Sequence, residues 1–184
     1  TNPAFERRLR ASVWRMLSPE GYDADGFKID FSARIPSGPG MQRHGPAWGL
    51  ELMRRYLGII HDEAKRTKSD ALVMTHTPHP YLSDVLDVIR LNDMIMERPV
   101  PNEMRHRARV AAIACPGTPI DTDNWPVADR ATWRTYLPLQ AELGIPSLYY
   151  ASHVDGTGEL LEASDFDLLR ETWAAYRNSL PTNP

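Results

Sequence analysis

Apolar positions recur along this chain in two alternating rhythms. Phe5, Leu9, Val13, Met16 and Leu17 repeat at the spacing of one helix face. Asn2 and Pro3 supply a helix start, and Ser18-Pro19-Glu20-Gly21 supplies the stop. Gly26 to Phe31 is a short, mostly apolar run, the signature of a buried strand. Ser32 to Gly45 is rich in Gly, Pro and Ser and reads as a long loop. Pro46 to Arg66 returns to helical spacing, with Trp48, Leu52, Met53, Tyr56, Leu57, Ile59 and Ile60 on one stripe. Ala71–Thr75 and Val85–Leu91 read as further strands, the second interrupted by Asp87 and Arg90. Asn102–Cys115 reads as a helix and 117–120 as a short strand. Arg130–Leu143 is a helix closed by Gly144. Pro146–Ala151 reads as a buried strand, because Leu148, Tyr149 and Tyr150 form one apolar block. Ser164–Asn178 is the last helix, with Phe166, Leu168, Leu169, Trp173 and Tyr176 as its inner face.

Strands alternating with helices imply an α/β fold with a parallel sheet covered by helices. Five strands fit a doubly wound sheet or part of a (β/α)8 TIM barrel, which needs about 250 residues. The chain opens on a helix with no strand before it. We therefore expect a partial barrel covering roughly strands 4–8, with residues 1–184 as the later portion of one catalytic domain. Its sheet should be open beside the strand at 26–31.

Composition narrows the classes. With 184 residues, 42% apolar and 24% charged, the chain has the make-up of one globular domain. No apolar run reaches the length of a membrane span. A net charge of −3 gives no basic field, so nucleic acid is not an expected partner. Arg105-His106-Arg107-Arg109 reads as a solvated helix face. Cys115, the single cysteine, has apolar helical neighbours and is expected to be a buried packing residue. One cysteine and no signal-like N-terminus lean the expectation toward the cytoplasm.

Parallel α/β enzymes react at the C-terminal ends of their strands. Lys28 and Asp30 lie on one side of the first strand, and buried charges there would need pairing or a function. Arg90 and Asp93 close the third strand. Two acids on different strands suit glycoside cleavage, one as nucleophile and one as proton donor.

Asp25-Gly26-Phe27-Lys28-Ile29-Asp30-Phe31 resembles the strand-four signature of clan D glycoside hydrolases, the group of family 36 melibiase-type α-galactosidases and family 31 α-glucosidases. In that group the Asp after Lys-x is the nucleophile, and an acid/base Asp follows roughly sixty residues later. Asp93 stands 63 positions after Asp30. Arg90-x-x-Asp93 resembles the Arg-x-Ser-Asp of some members, with Asn92 in place of Ser. The resemblance implies a retaining α-glycosidase of α-galactosidase-like type: Asp30 as nucleophile, Asp93 as acid/base, no cofactor, and an oligosaccharide or glycoside substrate. Lys28, Arg90, His79, Trp125 and Asp25 are the candidate substrate contacts. The first barrel strands would come from a missing N-terminal segment, and a homo-oligomer is the other partner expected.

Two other readings stay open. A metal-dependent barrel hydrolase would use His76, His79, Asp121 and Asp123 as ligands. A degenerate barrel would act as a binding or scaffold protein without turnover. Independently of the reading chosen, Trp125 is a candidate sugar-stacking platform, and His153 and Asp155 follow the last predicted strand at the mouth.

Overall fold

The structure, a computed structural model, describes residues 2–32, 34, 37–95 and 97–181. The elements run α1 (Pro3–Leu17), β1 (Gly26–Ile29), α2 (Gly49–Thr67), β2 (Leu72–Thr75), β3 (Val88–Arg90), α3 (Val100–Ala114), β4 (Ile120–Asp121), α4 (Arg130–Leu143) and α5 (Ala163–Ser179). A 3-10 turn, Pro80–Leu82, lies between β2 and β3. The fold is α/β with a four-stranded sheet in the order β1-β2-β3-β4. β1 pairs β2 and β2 pairs β3 in parallel, with Phe27 opposite Val73 and Thr75 opposite Ile89. β1 is an edge strand, as expected for the run at 26–31. The chain forms two compact units, Thr1–Ile89 and Arg90–Pro184, described in turn.

The first unit follows its hydrophobic pattern closely. Asn2 caps α1 by accepting from the Ala4 N–H at 2.9 Å, and Pro3 sits at the first helical position, where its missing N–H costs nothing. Val13 and Leu17 from α1 pack with Ile60 and Ala64 from α2 and with Ala71 and Val73 at β2. Phe27 and Ile29 of β1 lie against this core. Phe5 and Met16, predicted to face inward, are exposed. Glu63, 2% exposed, is carried by two cations from the helix surfaces, Arg10 at 3.5 Å and Arg66. A buried carboxylate with both partners in place is tolerated; without them it would be costly.

β3 is shorter than the run of apolar residues predicts. Asp87 turns its carboxylate back to accept from the Val73 N–H at 2.8 Å and pairs with Lys65 at 2.9 Å. Val85 N–H closes a turn onto the Leu82 carbonyl. The Asp87 N–H still donates to the Val73 carbonyl at 2.8 Å, but with its carboxylate taking the Val73 N–H in place of a backbone carbonyl, the regular strand begins at Val88.

In the second unit, α4 supplies the centre. Trp133, Tyr136, Leu137, Leu139 and Gln140 are buried with Met104, Ala108 and Ala111 of α3. Asp129 caps α4 through the Thr132 N–H at 2.7 Å. Cys115 is fully buried at the end of α3, as expected. Asp165 of α5, fully buried, takes Arg130 at 2.7 Å and Arg134 from α4. On α5 only Asp165 and Thr172 are buried, and Trp173, predicted to face inward, is exposed.

The predicted strand at 146–151 is absent. Apart from its pairing with β3, β4 makes a single parallel bridge, Asp121 to Ile145. Beyond it, side chains take the place of a strand partner. The Asn124 side-chain amide donates to the Ser147 carbonyl at 2.7 Å, and the Gln140 Oε1 accepts from the Ser147 N–H at 2.7 Å. Tyr150 is buried, but Leu148 and Tyr149 are exposed, so the apolar block is not one buried surface.

Candidate functional site

Polar groups gather at the C-terminal strand ends in both units. In the first, Asp30 follows the last residue of β1 and is 55% exposed at its side chain. His76, buried, follows β2 and brings its Nδ1 to 3.7 Å from Asp30 Oδ1. Ser32, also buried, hydrogen-bonds to Thr75 and, at 3.1 Å, to Thr77. These bonds tie the segment after β1 to the end of β2, and the Asp30 Oδ1 accepts from the Phe31 N–H at 2.9 Å. His76, a candidate metal ligand from the sequence, stands beside Asp30 because the parallel register sets Ile29 opposite Thr75.

The neighbouring candidates sort differently. Lys28 and Asp30 share a face as alternation requires, but that face is exposed, so their presence needs no buried pairing. Asp25 precedes β1, at the opposite end from Asp30. Five residues of extended chain separate them by roughly 16 Å. Asp25 pairs with Lys68 at 3.0 Å and is 99% exposed; it is a surface charge at the wrong end of the strand to contact a substrate held at Asp30. His79 caps the 3-10 turn, its Nδ1 accepting from the Tyr81 N–H at 3.1 Å.

The second unit holds the more elaborate cluster. Arg90, the last residue of β3, is 3% exposed. Its Nη2 meets Asp93 Oδ1 at 2.8 Å and Asp123 Oδ2 at 2.6 Å. Its carbon Cζ lies 5.7 Å from the Tyr149 ring centroid. Among the described residues the Arg90 Nε has no hydrogen-bond acceptor, and the Asp123 Oδ2 meets Nη2 as an ion pair without hydrogen-bond geometry, so the buried guanidinium depends on charge pairing with the two carboxylates. Burial works against its charge, yet Asp123 and Asp93 outweigh that and hold its pKa above the usual value.

The two carboxylates differ in surroundings. Asp93 is 47% exposed at its side chain. Asp123 is fully buried; its Oδ1 accepts from the N–H groups of Asn124 at 2.7 Å and Trp125 at 3.1 Å. Burial drives the Asp123 carboxyl up to about 6, against the opposing pull of Arg90 and of those two N–H groups.

Backbone contacts fix the loops that carry them. The Leu91 N–H donates to the Asp121 carbonyl and the Met94 N–H to the Trp125 carbonyl, both at 2.9 Å. Arg107 of α3 donates to the carbonyls of Leu91, Asn92 and Asp93, the last at 2.7 Å. Trp125 is 37% exposed and donates its indole N–H to Asp155 at 3.1 Å. It lies outside the core, and His153 is 3.8 Å from the same carboxylate.

One backbone feature recurs at these ends. Phe31, Asn92 and Asp123 have φ of 52°, 72° and 57°, each two residues beyond the last residue of β1, β3 and β4. A left-handed non-glycine residue costs on the order of 1–3 kcal/mol, and such residues concentrate at functional sites.

The metal arrangement does not form. Among the described residues no group of three or more His, Cys, Asp or Glu is placed to hold a metal ion. Asp123 is committed to a guanidinium, and Asp121 accepts from Ser147 Oγ at 2.8 Å and from the Asp123 N–H at 3.0 Å. No described helix is long and apolar enough to cross a membrane.

In comparisons with known proteins, no protein-family model, curated protein or solved structure matches the chain.

Proposed function

We propose that the chain carries the catalytic carboxylates of a retaining α-glycosidase, α-galactosidase-like, on the later part of a (β/α)8 barrel. The observation that supports this reading is the placement of Asp30 and Asp93. Each follows the C-terminal end of a strand in the sheet, each is about half exposed, and each has a basic side chain beside it. The sequence resemblance assigns the same two residues.

In the proposed reaction Asp30 attacks the anomeric carbon, and the bond to the leaving oxygen breaks as Asp93 gives that oxygen its proton. Asp93, now a carboxylate, takes a proton from water. The resulting hydroxide equivalent attacks the anomeric carbon and displaces Asp30. His76 orients the Asp30 carboxylate, and Arg90 orients Asp93. Trp125 offers an exposed ring to the apolar face of a sugar.

Mass spectrometry after treatment with mechanism-based inactivators of galacto, gluco and xylo configuration tests the assignment. A covalent label on Asp30 is expected. Label on another residue, or on none with all three, overturns it. Asp93→Asn should retain turnover on aryl glycosides whose leaving groups need no proton, while losing it on alkyl glycosides. Equal losses on both would remove Asp93 from the acid/base role.

A further inference from the structure

Asp93 and Asp123 reach the same nitrogen of Arg90 from two sides. One carboxylate faces solvent and the other is fully buried. We propose that Asp123 is a positioning residue: it holds the Arg90 guanidinium from the buried side and shares that cation with Asp93, so Asp93 is held in place, and coupled in charge, through a second carboxylate. The proposal rests on the reading of Asp93 as acid/base for its functional meaning, but not for its geometry.

Three observations carry it. First, Arg90 is buried and its Nε lacks an acceptor among the described residues, so its orientation is set by the carboxylates and the Tyr149 ring. Second, Asp123 is itself fixed, since two backbone N–H groups and a left-handed backbone hold its side chain toward Arg90. Third, the loops bearing the two acids are stitched together by the bonds from Leu91 and Met94. An acid/base must be able to hold a proton when substrate arrives. Two carboxylates on one cation are coupled through it, and removing either leaves the guanidinium to the other.

The groups facing this pair are few. Asp121 on β4 adds a like charge near Asp123, Tyr136 of α4 and Tyr150 lie within its electrostatic reach, and Arg107 of α3 faces the 91–93 carbonyls. Burial keeps Tyr136 and Tyr150 un-ionised well beyond neutral pH.

Carboxyl-carbon NMR on the full chain labelled at aspartate tests the coupling without any substrate. In the unsubstituted protein Asp123 should titrate near pH 6. Asp93→Asn changes an exposed side chain and should leave the fold intact. It should move the Asp123 midpoint down by about half a pH unit or more, a roughly threefold change in equilibrium, because the cation is no longer shared. Asp93→Glu should restore the original midpoint. In the Arg90→Gln background, Asp93→Asn should have little further effect. If Asp123 served only to shape the 121–125 turn, its midpoint would not respond to Asp93→Asn, and the proposal would fall. The kinetic arm uses Asp123→Asn: with the guanidinium left to Asp93 alone, the alkaline limb of the kcat profile should shift to lower pH, with KM little changed. An unmoved limb in an active enzyme overturns the proposal. Coupled NMR midpoints without sugar labelling at Asp30 would instead overturn the glycosidase reading and leave the positioning role standing.

Discussion

Asp123→Asn should change the pH dependence of stability in a way that identifies which force dominates at this buried acid. Two effects oppose each other there. Removal from water favours the neutral carboxyl, and the Arg90 guanidinium at 2.6 Å favours the carboxylate. Burial prevails, raising the carboxyl from 3.8 to about 6. The folded protein therefore keeps a proton on Asp123 over a pH range in which the unfolded chain has released it. Stability then falls as pH rises through that window. The contribution is fully present below pH 3.8 and spent above about pH 6. A gap of about 2 pH units at about 1.4 kcal/mol each gives about 3 kcal/mol. Asparagine keeps an oxygen for the Asn124 and Trp125 N–H groups but cannot titrate. The difference between the two proteins should thus fall by about 3 kcal/mol from pH 4 to pH 7, with other groups cancelling. For a chain of this size that is a relative change in Tm of about 6–12 °C. Urea unfolding followed by tryptophan fluorescence is a suitable assay. Trp133 is fully buried, whereas Trp14, Trp48, Trp125 and Trp173 are exposed, so Trp133 should dominate the spectral change. A difference that stays flat, or rises with pH, would mean that Arg90 outweighs burial and would refute the reasoning.

Three further substitutions test other parts of the structure. Asp25→Ala should change stability by less than about 0.5 kcal/mol and leave turnover unaltered, because a surface ion pair contributes little and the residue sits at the far end of β1; thermal melts and steady-state rates read both. Glu63→Leu removes a buried carboxylate that Arg10 and Arg66 neutralise, and its apolar replacement should cost less than about 1.5 kcal/mol, whereas Arg10→Ala combined with Arg66→Ala should cost about 3 kcal/mol by stranding that charge, both measured by urea unfolding. Gly144→Ala should destabilise by about 2–3 kcal/mol in the same assay, since a Cβ there would stand 2.3 Å from the Ile120 carbonyl oxygen, an overpacking against backbone that cannot swing away.

The helices were legible because each announces itself locally. Asn2-Pro3 starts α1, and Gly144 ends α4 at the residue expected. Strands were less so, since their existence depends on a partner elsewhere. Pro146–Ala151 is apolar enough to read as a buried strand, yet Gln140 and Asn124 capture the backbone of Ser147 with side-chain bonds, and nothing within 146–151 signals that. The strand-end positions of Asp30, Arg90 and Asp93 were visible from alternation and turn residues. The importance of Asp123 was not. Asp-Thr-Asp-Asn-Trp reads as a turn or a ligand set, and only the pairing with Arg90, 33 positions earlier, makes the acid a buried ion-pair partner. The exposure of Lys28 was equally hidden, because β1 is an edge strand and an apolar run does not declare its place in a sheet.

The burial of Cys115 gives the second unit a built-in clock. It is the chain's single thiol, closing α3 with its N–H bonded to the Ala111 carbonyl at 2.9 Å, and solvent does not reach it. A thiol reagent can react only when that end of the helix opens. With excess reagent, the rate of modification becomes the rate of opening; with dilute reagent, it measures the open population. No dye or engineered label is needed. The same shielding means that the folded chain should not cross-link through sulfur, so a covalent dimer in a preparation would record molecules that had already opened there.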